Sequence, residues 1–472
     1  GFVAAQASFC LHLCGCIDSF QYCSFLPDDC CFTEYVANMD QLIVGFAGIF
    51  LMIVFLLLRM NIGFAMGIVG FVGFALLASP EAGISMIGVA AYKTAASYTL
   101  TVVPLFILMG LFSSSSGMGY HLYQAAYRWI GFLPGGLAMA TIVACACFAA
   151  ISGSSLATAA IMGMVALPEM KRFNYDSALA TGCVAAGGTL GILLPPSAIM
   201  IIYGILTEQP IGALFIAGIL PGILLSFLFL ITIYILTRKN PLLAPPGPCF
   251  SWTEKFIALK DTGGVLFLFI LVIGGLYTGW FSPTEAAGAG ACGALLISLF
   301  QKRFKRKNLF SALHETALTT AMVFTILIGA NILGYFMTIS QLPEALSRFI
   351  VSLGLNEYLV ISIICMAYIM LGCLMEGMAI MVLTLPVVFP LVVQMGFDPI
   401  WFGVVITLFI EMGLITPPVG INVFVISGIA REVPIYTIFR GIVPFFIAMV
   451  FCLVFLITFP QIALFLPRTM SP

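Results

Sequence analysis

From Leu42 to Leu58 the chain carries no charged residue, and Arg59 closes the run. Comparable runs recur at 63–79, 98–112, 133–151, 211–237, 265–280, 286–300, 316–337 and 358–374. These lengths suit the hydrocarbon core of a bilayer, which about 20 helical residues cross. A segment at that depth has no water to satisfy its backbone, so it folds as a helix or joins a closed barrel. Continuous apolar runs, rather than strict alternation, select the helix. Charged residues make up 8% of the 472 residues and hydrophobic ones 62%, against roughly 25% charged in a soluble domain. The chain therefore reads as an all-α polytopic membrane protein with about 10–12 transmembrane helices. No hydrophilic stretch is long enough for a separate aqueous domain, and a net charge of −1 points to neither nucleic acid nor acidic partners.

Two apolar stretches contain a Pro-Pro pair that no continuous helix tolerates. The first is Gly191-Ile192-Leu193-Leu194-Pro195-Pro196-Ser197; the second is Gly413-Leu414-Ile415-Thr416-Pro417-Pro418-Val419-Gly420. Each pair removes two backbone donors, and its rings clash with the preceding turn. The carbonyls so freed need partners at membrane depth. Broken helices in corresponding places of two halves point to the binding site of a transporter.

Residues 1–38 differ in character from the rest of the chain. Six of the fourteen cysteines (Cys10, Cys14, Cys16, Cys23, Cys30, Cys31) lie there. No basic region precedes an apolar core, as a signal peptide requires, and the spacing of His12, Cys14 and Cys16 matches no zinc pattern. Met39 reads as a start, and 1–38 as an atypical Cys-rich N-terminal extension. Residues 80–97 read as a mixed connection, and Tyr120 to Ile130 as an interfacial helix. The piece from Ser152 to Pro168 is too short to cross, which predicts a re-entrant hairpin at 152–168 with Ser152 to Ser155 near its tip. Asp176 is a good N-cap for a broken helix at 177–206. Residues 238–262, with Lys239, Pro241, Pro245, Pro246, Pro248, Lys255 and Lys260, form a cytoplasmic connection. The five Lys/Arg of Gln301 to Lys307 mark the same side.

The second part of the chain repeats the first. At a constant offset of 222, Pro168 meets Pro390, Asp176 meets Asp398, Gly191 meets Gly413, and Pro195-Pro196 meets Pro417-Pro418. The repeats span 39–237 and 263–472, the second with a hairpin at 376–394 and a broken helix at 399–430. Lys171 and Arg172 precede the first broken helix, while Gln394 to Pro399 carries no base; Arg431 follows the second, while Thr207 to Pro210 has none. Opposite loop charge on matching turns is the signature of an inverted repeat.

Half-helix ends present unpaired N–H and C=O groups. Carbonyls there can coordinate a hard monovalent cation, and N–H ends can hold an anionic group. Ser152, Ser154, Ser155 and Thr416 are the hydroxyl candidates to complete such a shell, although small residues in membrane helices also serve packing alone. Glu376 and Glu411 sit inside apolar runs, where an acid is a functional candidate by default. Each reads equally as a proton or cation site and as a group bonded to a helix end or facing water. Ser197 and Asn422, beside the breaks, join them as candidates for substrate or coupling-ion contact. Trp280, Trp401 and Tyr358 read as interfacial anchors. His12, His121 and His314 are far apart and no phosphate-binding loop is present, so nothing argues for an enzyme, a cofactor, or a metal beyond such a monovalent cation.

Several motifs together resemble one family. They are Phe132-Leu133-Pro134-Gly135-Gly136, Ile151-Ser152-Gly153-Ser154-Ser155-Leu156-Ala157-Thr158-Ala159, Ala185 to Ser197, Leu214 to Gly222, Phe397 to Gly403, and Gly413 to Gly420. This pattern is similar to the large membrane subunit (DctM-like) of the tripartite ATP-independent periplasmic (TRAP) transporters, and the likeness runs from about Met39 to the end. The resemblance implies a sodium-driven elevator-type transporter of the bacterial inner membrane. It implies organic-acid substrates such as dicarboxylates, sialic acids or sugar acids. It implies two partners: a separate small membrane subunit and a periplasmic substrate-binding protein. It also implies one sodium site at Ser152, Gly153, Ser154 and Ser155 with Gly191, Leu194 and Pro195, and another at Gly377, Gly413, Thr416 and Val419. Two alternatives remain: a single-component sodium–carboxylate symporter, and a passive channel or membrane scaffold.

Overall fold

The computed structural model describes residues 29–58, 60–300, 306–352 and 354–470. Most of the Cys-rich segment, residues 1–28 with His12, Cys14 and Cys16, lies outside the described residues. Among those described, every regular element is helical. The chain begins with α1 (Asp29–Leu57), α2 (Ile62–Leu77), α3 (Pro80–Ala95), α4 (Val102–Ser115) and α5 (Met118–Ile130). It continues through α6 (Gly136–Ser152), α7 (Ser155–Arg172), α8 (Ser177–Leu193), α9 (Ala198–Leu206) and α10 (Ile211–Lys239). Then come α11 (Trp252–Phe269), extended by a π-helical turn at Ile270–Gly274, α12 (Pro283–Phe300) and α13 (Arg306–Ser340). The last elements are α14 (Leu342–Ser352), α15 (Glu357–Gly372), α16 (Gly377–Gln394), α17 (Pro399–Leu414), α18 (Ile421–Ile429), α19 (Ile435–Thr458) and α20 (Gln461–Thr469).

Among the described residues, by length and composition seven helices can cross a membrane, or eight if the bent helix 252–277 counts as one span. Five further apolar helices are only 10–17 residues long. Three of these are α6, α15 and α17, which end at a hairpin tip or a break and so have no need of full membrane length.

Several boundaries differ from the sequence reading. Residues 80–97 are not a mixed connection but mostly α3, because Ser79 accepts a bond from Ala82 N–H and Pro80 starts the helix. The hairpin expected at 152–168 is longer. Its arms are α6 and α7, and Pro168 lies inside α7 rather than at its end. The second hairpin likewise has two arms, α15 and α16, with its turn at 373–376. The connection 238–262 is non-helical only in part: α11 starts at Trp252, where Ser251 and Glu254 form a capping box. The expected interfacial helix is α5, whose inner face (Leu122, Tyr123, Tyr127) is buried.

The two helices that precede the breaks lie deepest. Every residue from Leu179 to Leu193 of α8 is buried, and so is every residue from Trp401 to Leu414 of α17. A helix apolar on all sides is stable only when surrounded. For α8 the surrounding elements include α6, α7 and α19; for α17 they include α10 and α15. Asp176 starts α8 by accepting from Leu179 N–H at 3.0 Å. Asp398 starts α17 by accepting from Ile400 and Trp401 N–H, with Pro399 in the first turn. Caps of this kind contribute about 1 kcal/mol each. Across the molecule α13 runs along α2, and α4 packs on α12 and α13. Lys171 at the end of α7 pairs with Glu432 before α19 and holds that carboxyl below the usual carboxylate range. Both side chains are exposed, so the pair adds little stability.

The contact of α8 with α19 is backbone on backbone. A Cβ at Gly441 would stand 1.9 Å from the Ala178 carbonyl oxygen, and one at Gly182 would stand 2.3 Å from Gly441 itself. Gly441→Val should therefore force the helices apart and destabilise the purified protein by about 1–3 kcal/mol. Gly428→Ala, whose new methyl group meets nothing within 4 Å, should leave the melting temperature unchanged. Thermal melts of the two variants in one detergent check both outcomes.

Candidate functional site

The first hairpin tip is built from hydroxyls and one glycine. α6 stops at Ser152 because Gly153 follows in the left-handed region, φ +63°, which L side chains rarely adopt. Ser154 then starts α7 by accepting from Ala157 N–H at 3.3 Å. The Thr158 hydroxyl donates to the Ser154 carbonyl at 2.8 Å. Its single proton is thus used, so Ser152 is the donor in the 2.8 Å contact between the Ser152 and Thr158 hydroxyls.

This tip seats in the first break. A Cβ at Gly153 would lie 2.6 Å from the Pro196 carbonyl oxygen, and one at Gly191 would lie 2.5 Å from the Ser154 carbonyl oxygen. Tip and break therefore touch through backbone. Leu194 ends α8 in extended conformation, with its N–H on the Leu190 carbonyl. Ser197, fully buried, starts α9 by accepting from Met200 N–H. Gly153 is thereby brought against Pro196 and Gly191 against Ser154 and Ser155, with Leu194 and Pro195 in the break between Gly191 and Pro196.

The second break has a different local chemistry. Ile415 ends α17, the Thr416 hydroxyl turns back to the Met412 carbonyl, and Gly420 at φ +62° opens α18. Both Pro-Pro bonds are cis. The first pair is buried and the second is exposed. Gly413 meets the backbone of Gly372, the last residue of α15: a Cβ on Gly413 would be 2.5 Å from the Gly372 Cα. Gly377 lies instead against the side chains of Ile199 and Ile410. Thr416 and Val419 are in the turn of the break.

Between the two tips is a cavity of about 400 Å³, within the usual range for small-molecule sites. Its walls include Ser152 to Ser155, Pro196 and, from the second tip, Glu376 and Gly377. α4 contributes Ser114 and Ser115, and α13 contributes Glu315 and Thr319. Among the described residues two carboxylates line it, and no Lys, Arg or His does. Glu376 is half-buried at the N-cap position of α16 without making a capping bond. Glu411 and Asn422 are fully buried, and the Asn422 amide has no hydrogen-bond partner among the described residues.

The residues missing from the sequence reading are those on distant helices. Glu315 is an acid at the start of the apolar run of α13, a signal present in the sequence but not tied to either break. Gly372 is a helical glycine whose partner, Gly413, lies 41 positions later. Trp401 corrects the sequence reading. It is no interfacial anchor: it is 2% exposed and its indole donates to the Leu456 carbonyl at 2.9 Å, because α17 is enclosed on all sides. Trp280 is 81% exposed, and the side chain of Tyr358 lies outside those described.

Comparison with known proteins agrees with this architecture. The family described as "Tripartite ATP-independent periplasmic transporter, DctM component" matches residues 49–462. The C4-dicarboxylate TRAP transporter large permease protein of Pseudomonas aeruginosa is 35% identical over 394 residues, covering 83% of this chain and 91% of that protein. The sialic acid TRAP transporter large permease protein of Vibrio cholerae is 31% identical, covering 79% and 87%. The ectoine TRAP transporter large permease protein of Halomonas elongata is 33% identical, covering 78% and 86%. The YdaH transporter of Alcanivorax borkumensis shares the fold with a TM-score of 0.57 over 83% of this chain and 88% of its own, at 16% identity. The extent and identity of these matches establish that the chain belongs to the DctM component family of the TRAP transporters, multi-pass proteins of the bacterial inner membrane that transport rather than catalyse.

Proposed function

We propose that this chain is the large permease subunit of a TRAP system that imports a small organic acid by sodium coupling. The charge of the cavity carries the reading. An organic acid entering it meets Glu315 and Glu376 and no basic side chain. Like charges held close in a medium less polar than water repel strongly, so cations must accompany the substrate. The two tip-and-break pairs supply oxygen ligands for them. One sodium site comprises Ser152, Gly153, Ser154 and Ser155 with Gly191, Leu194 and Pro195; the other comprises Gly377, Gly413, Thr416 and Val419. Glu376 and Ser197 are the candidates for substrate contact.

An elevator movement of two inverted repeats, 39–237 and 263–472 joined at 238–262, completes the proposal. The burial of one Pro-Pro pair and the exposure of the other support it, since alternating access opens a midplane site to one side at a time. Relatives named for C4-dicarboxylates and sialic acid support organic acids as the substrate class. A small membrane subunit and a periplasmic substrate-binding protein are the partners.

Uptake into proteoliposomes under an inward sodium gradient tests the reading. Labelled organic acids should accumulate when chain, small subunit and binding protein are all present. Accumulation by the chain alone would mean a single-component symporter. Thr416→Val keeps the side-chain shape and removes the hydroxyl. It should raise the sodium concentration for half-maximal uptake by about threefold or more, the loss of one net hydrogen-bond-sized interaction.

A further inference from the structure

We propose that the groove between α5, α6 and α11 binds an anionic phospholipid, with one acyl chain in the groove and the phosphate on Lys255. The proposal is independent of substrate and coupling ion. The groove has a volume of about 350 Å³. On α11 its wall is Leu259, Thr262 and Leu266, and Lys255 begins the same helical stripe one turn before Leu259. On α5 and α6 the wall includes Ala126, Trp129, Ala144 and Cys147, and the two alanines leave space that larger side chains would fill. One end is fixed by two bonds between α5 and α11. The Arg128 guanidinium donates to the Glu254 carbonyl at 3.3 Å, and the Trp129 indole donates to the Lys255 carbonyl at 3.2 Å.

Three observations select this occupant. The groove offers hydrocarbon: Thr262 donates its hydroxyl to the Leu259 carbonyl at 2.9 Å, and the Trp129 N–H is already used. Beside it α11 exposes Phe256, Ile257 and Phe267, an apolar surface suited to lipid. The second observation is size. A helix with its side chains is 10–12 Å across, so one turn of it occupies about 400–600 Å³. The groove is too small for a partner helix and takes a single flexible chain. The third is charge. The Lys255 ammonium lies 5.0 Å from the Trp252 ring centre and 5.2 Å from that of Phe132, within cation–π reach. Trp129 meets Trp252 and Phe256 edge to face. Tryptophans with neighbouring bases mark the level of lipid headgroups. Glu254 turns its carboxyl to the Ser251 N–H and hydroxyl, and among the described residues neither Lys255 nor Arg128 forms a salt bridge. Two cations left without a carboxylate at that level favour an anionic headgroup over a neutral one.

The position gives such a lipid a structural task. α6 runs from the groove to the first hairpin tip at Ser152, and α11 packs on both α5 and α6. An acyl chain between them fills the crevice and braces the helix that carries the tip. A ligand bound only by the folded protein stabilises it in proportion to its occupancy, so the lipid is visible in a melting curve.

Melting of the purified full chain in detergent tests this, with added phosphatidylglycerol or phosphatidylcholine of the same acyl chains. Phosphatidylglycerol should raise the melting temperature at the lower concentration. Lys255→Gln should raise its half-saturating concentration by about fivefold, the contribution of one basic residue at an anionic surface, and shift that of phosphatidylcholine less. Cys147→Phe fills the groove from a half-buried position and should weaken both lipids. The wild-type protein supplies a readout that no misfolded variant disturbs: phosphatidylglycerol should slow maleimide labelling of Cys147, followed by mass spectrometry of its peptide, and glycerol 3-phosphate should not. Equal responses to the two lipids in wild type and in Lys255→Gln would overturn the charged headgroup site. Cys147 labelling unaffected by phosphatidylglycerol, or slowed only by the small membrane subunit, would overturn the lipid as occupant. Protection by glycerol 3-phosphate to the same degree would mean an anion site without an acyl chain, and would also overturn it.

Discussion

The structure depends on two places where the backbone of an enclosed helix stops bonding to itself. At Pro195-Pro196 and Pro417-Pro418 the ring nitrogens donate nothing, and the preceding carbonyls lose their helical partners. In surroundings without water those groups must be met by other parts of the chain. The first hairpin tip meets the first break through Gly153 and Gly191, with backbone of each within a Cβ's reach of the other. α15 meets the second through the facing pair Gly372 and Gly413. Enclosing α8 and α17 on every side follows from the same requirement, because a break exposed along its whole length would leave its carbonyls unanswered.

Close approach of backbones concentrates oxygen atoms. The first tip brings Ser152 to Ser155 to the cavity wall, and α13 and the second tip add the acids Glu315 and Glu376. A space of this composition attracts cations and repels anions. In the function proposed above, an organic acid binds there only with its charge balanced, and that physical need is what links substrate to coupling ion in the proposal.

Much of this is legible in the residues before any contact is known. Membrane helices follow from run length, the breaks from Pro-Pro, the starts of α8 and α17 from Asp176 and Asp398, and the tip from Ser152 to Ser155. Each is a local statement about what a short stretch of backbone can do. The features that escape are those that need two distant stretches at once. The first arms of the hairpins, α6 and α15, read as separate spans because nothing local marks a helix as half of a pair. α3 reads as a loop because its polarity is mixed. Trp401 resembles an anchor because Trp favours interfaces, and only the enclosure of α17 makes it a core residue.

By itself the sequence determined the class of fold, the duplicated interruption and the residue types available at each break, because hydrophobic run length and proline stereochemistry act within a few residues. The tertiary structure alone decided that Glu315 of α13 and the serines of α4 wall the cavity, and that Gly372 faces Gly413. It also decided the asymmetry of the breaks, one buried and one exposed, although their sequences are nearly alike. These outcomes depend on which helices pack together, and packing among many apolar helices is set by shape and small-residue contacts across long separations rather than by any period within one segment.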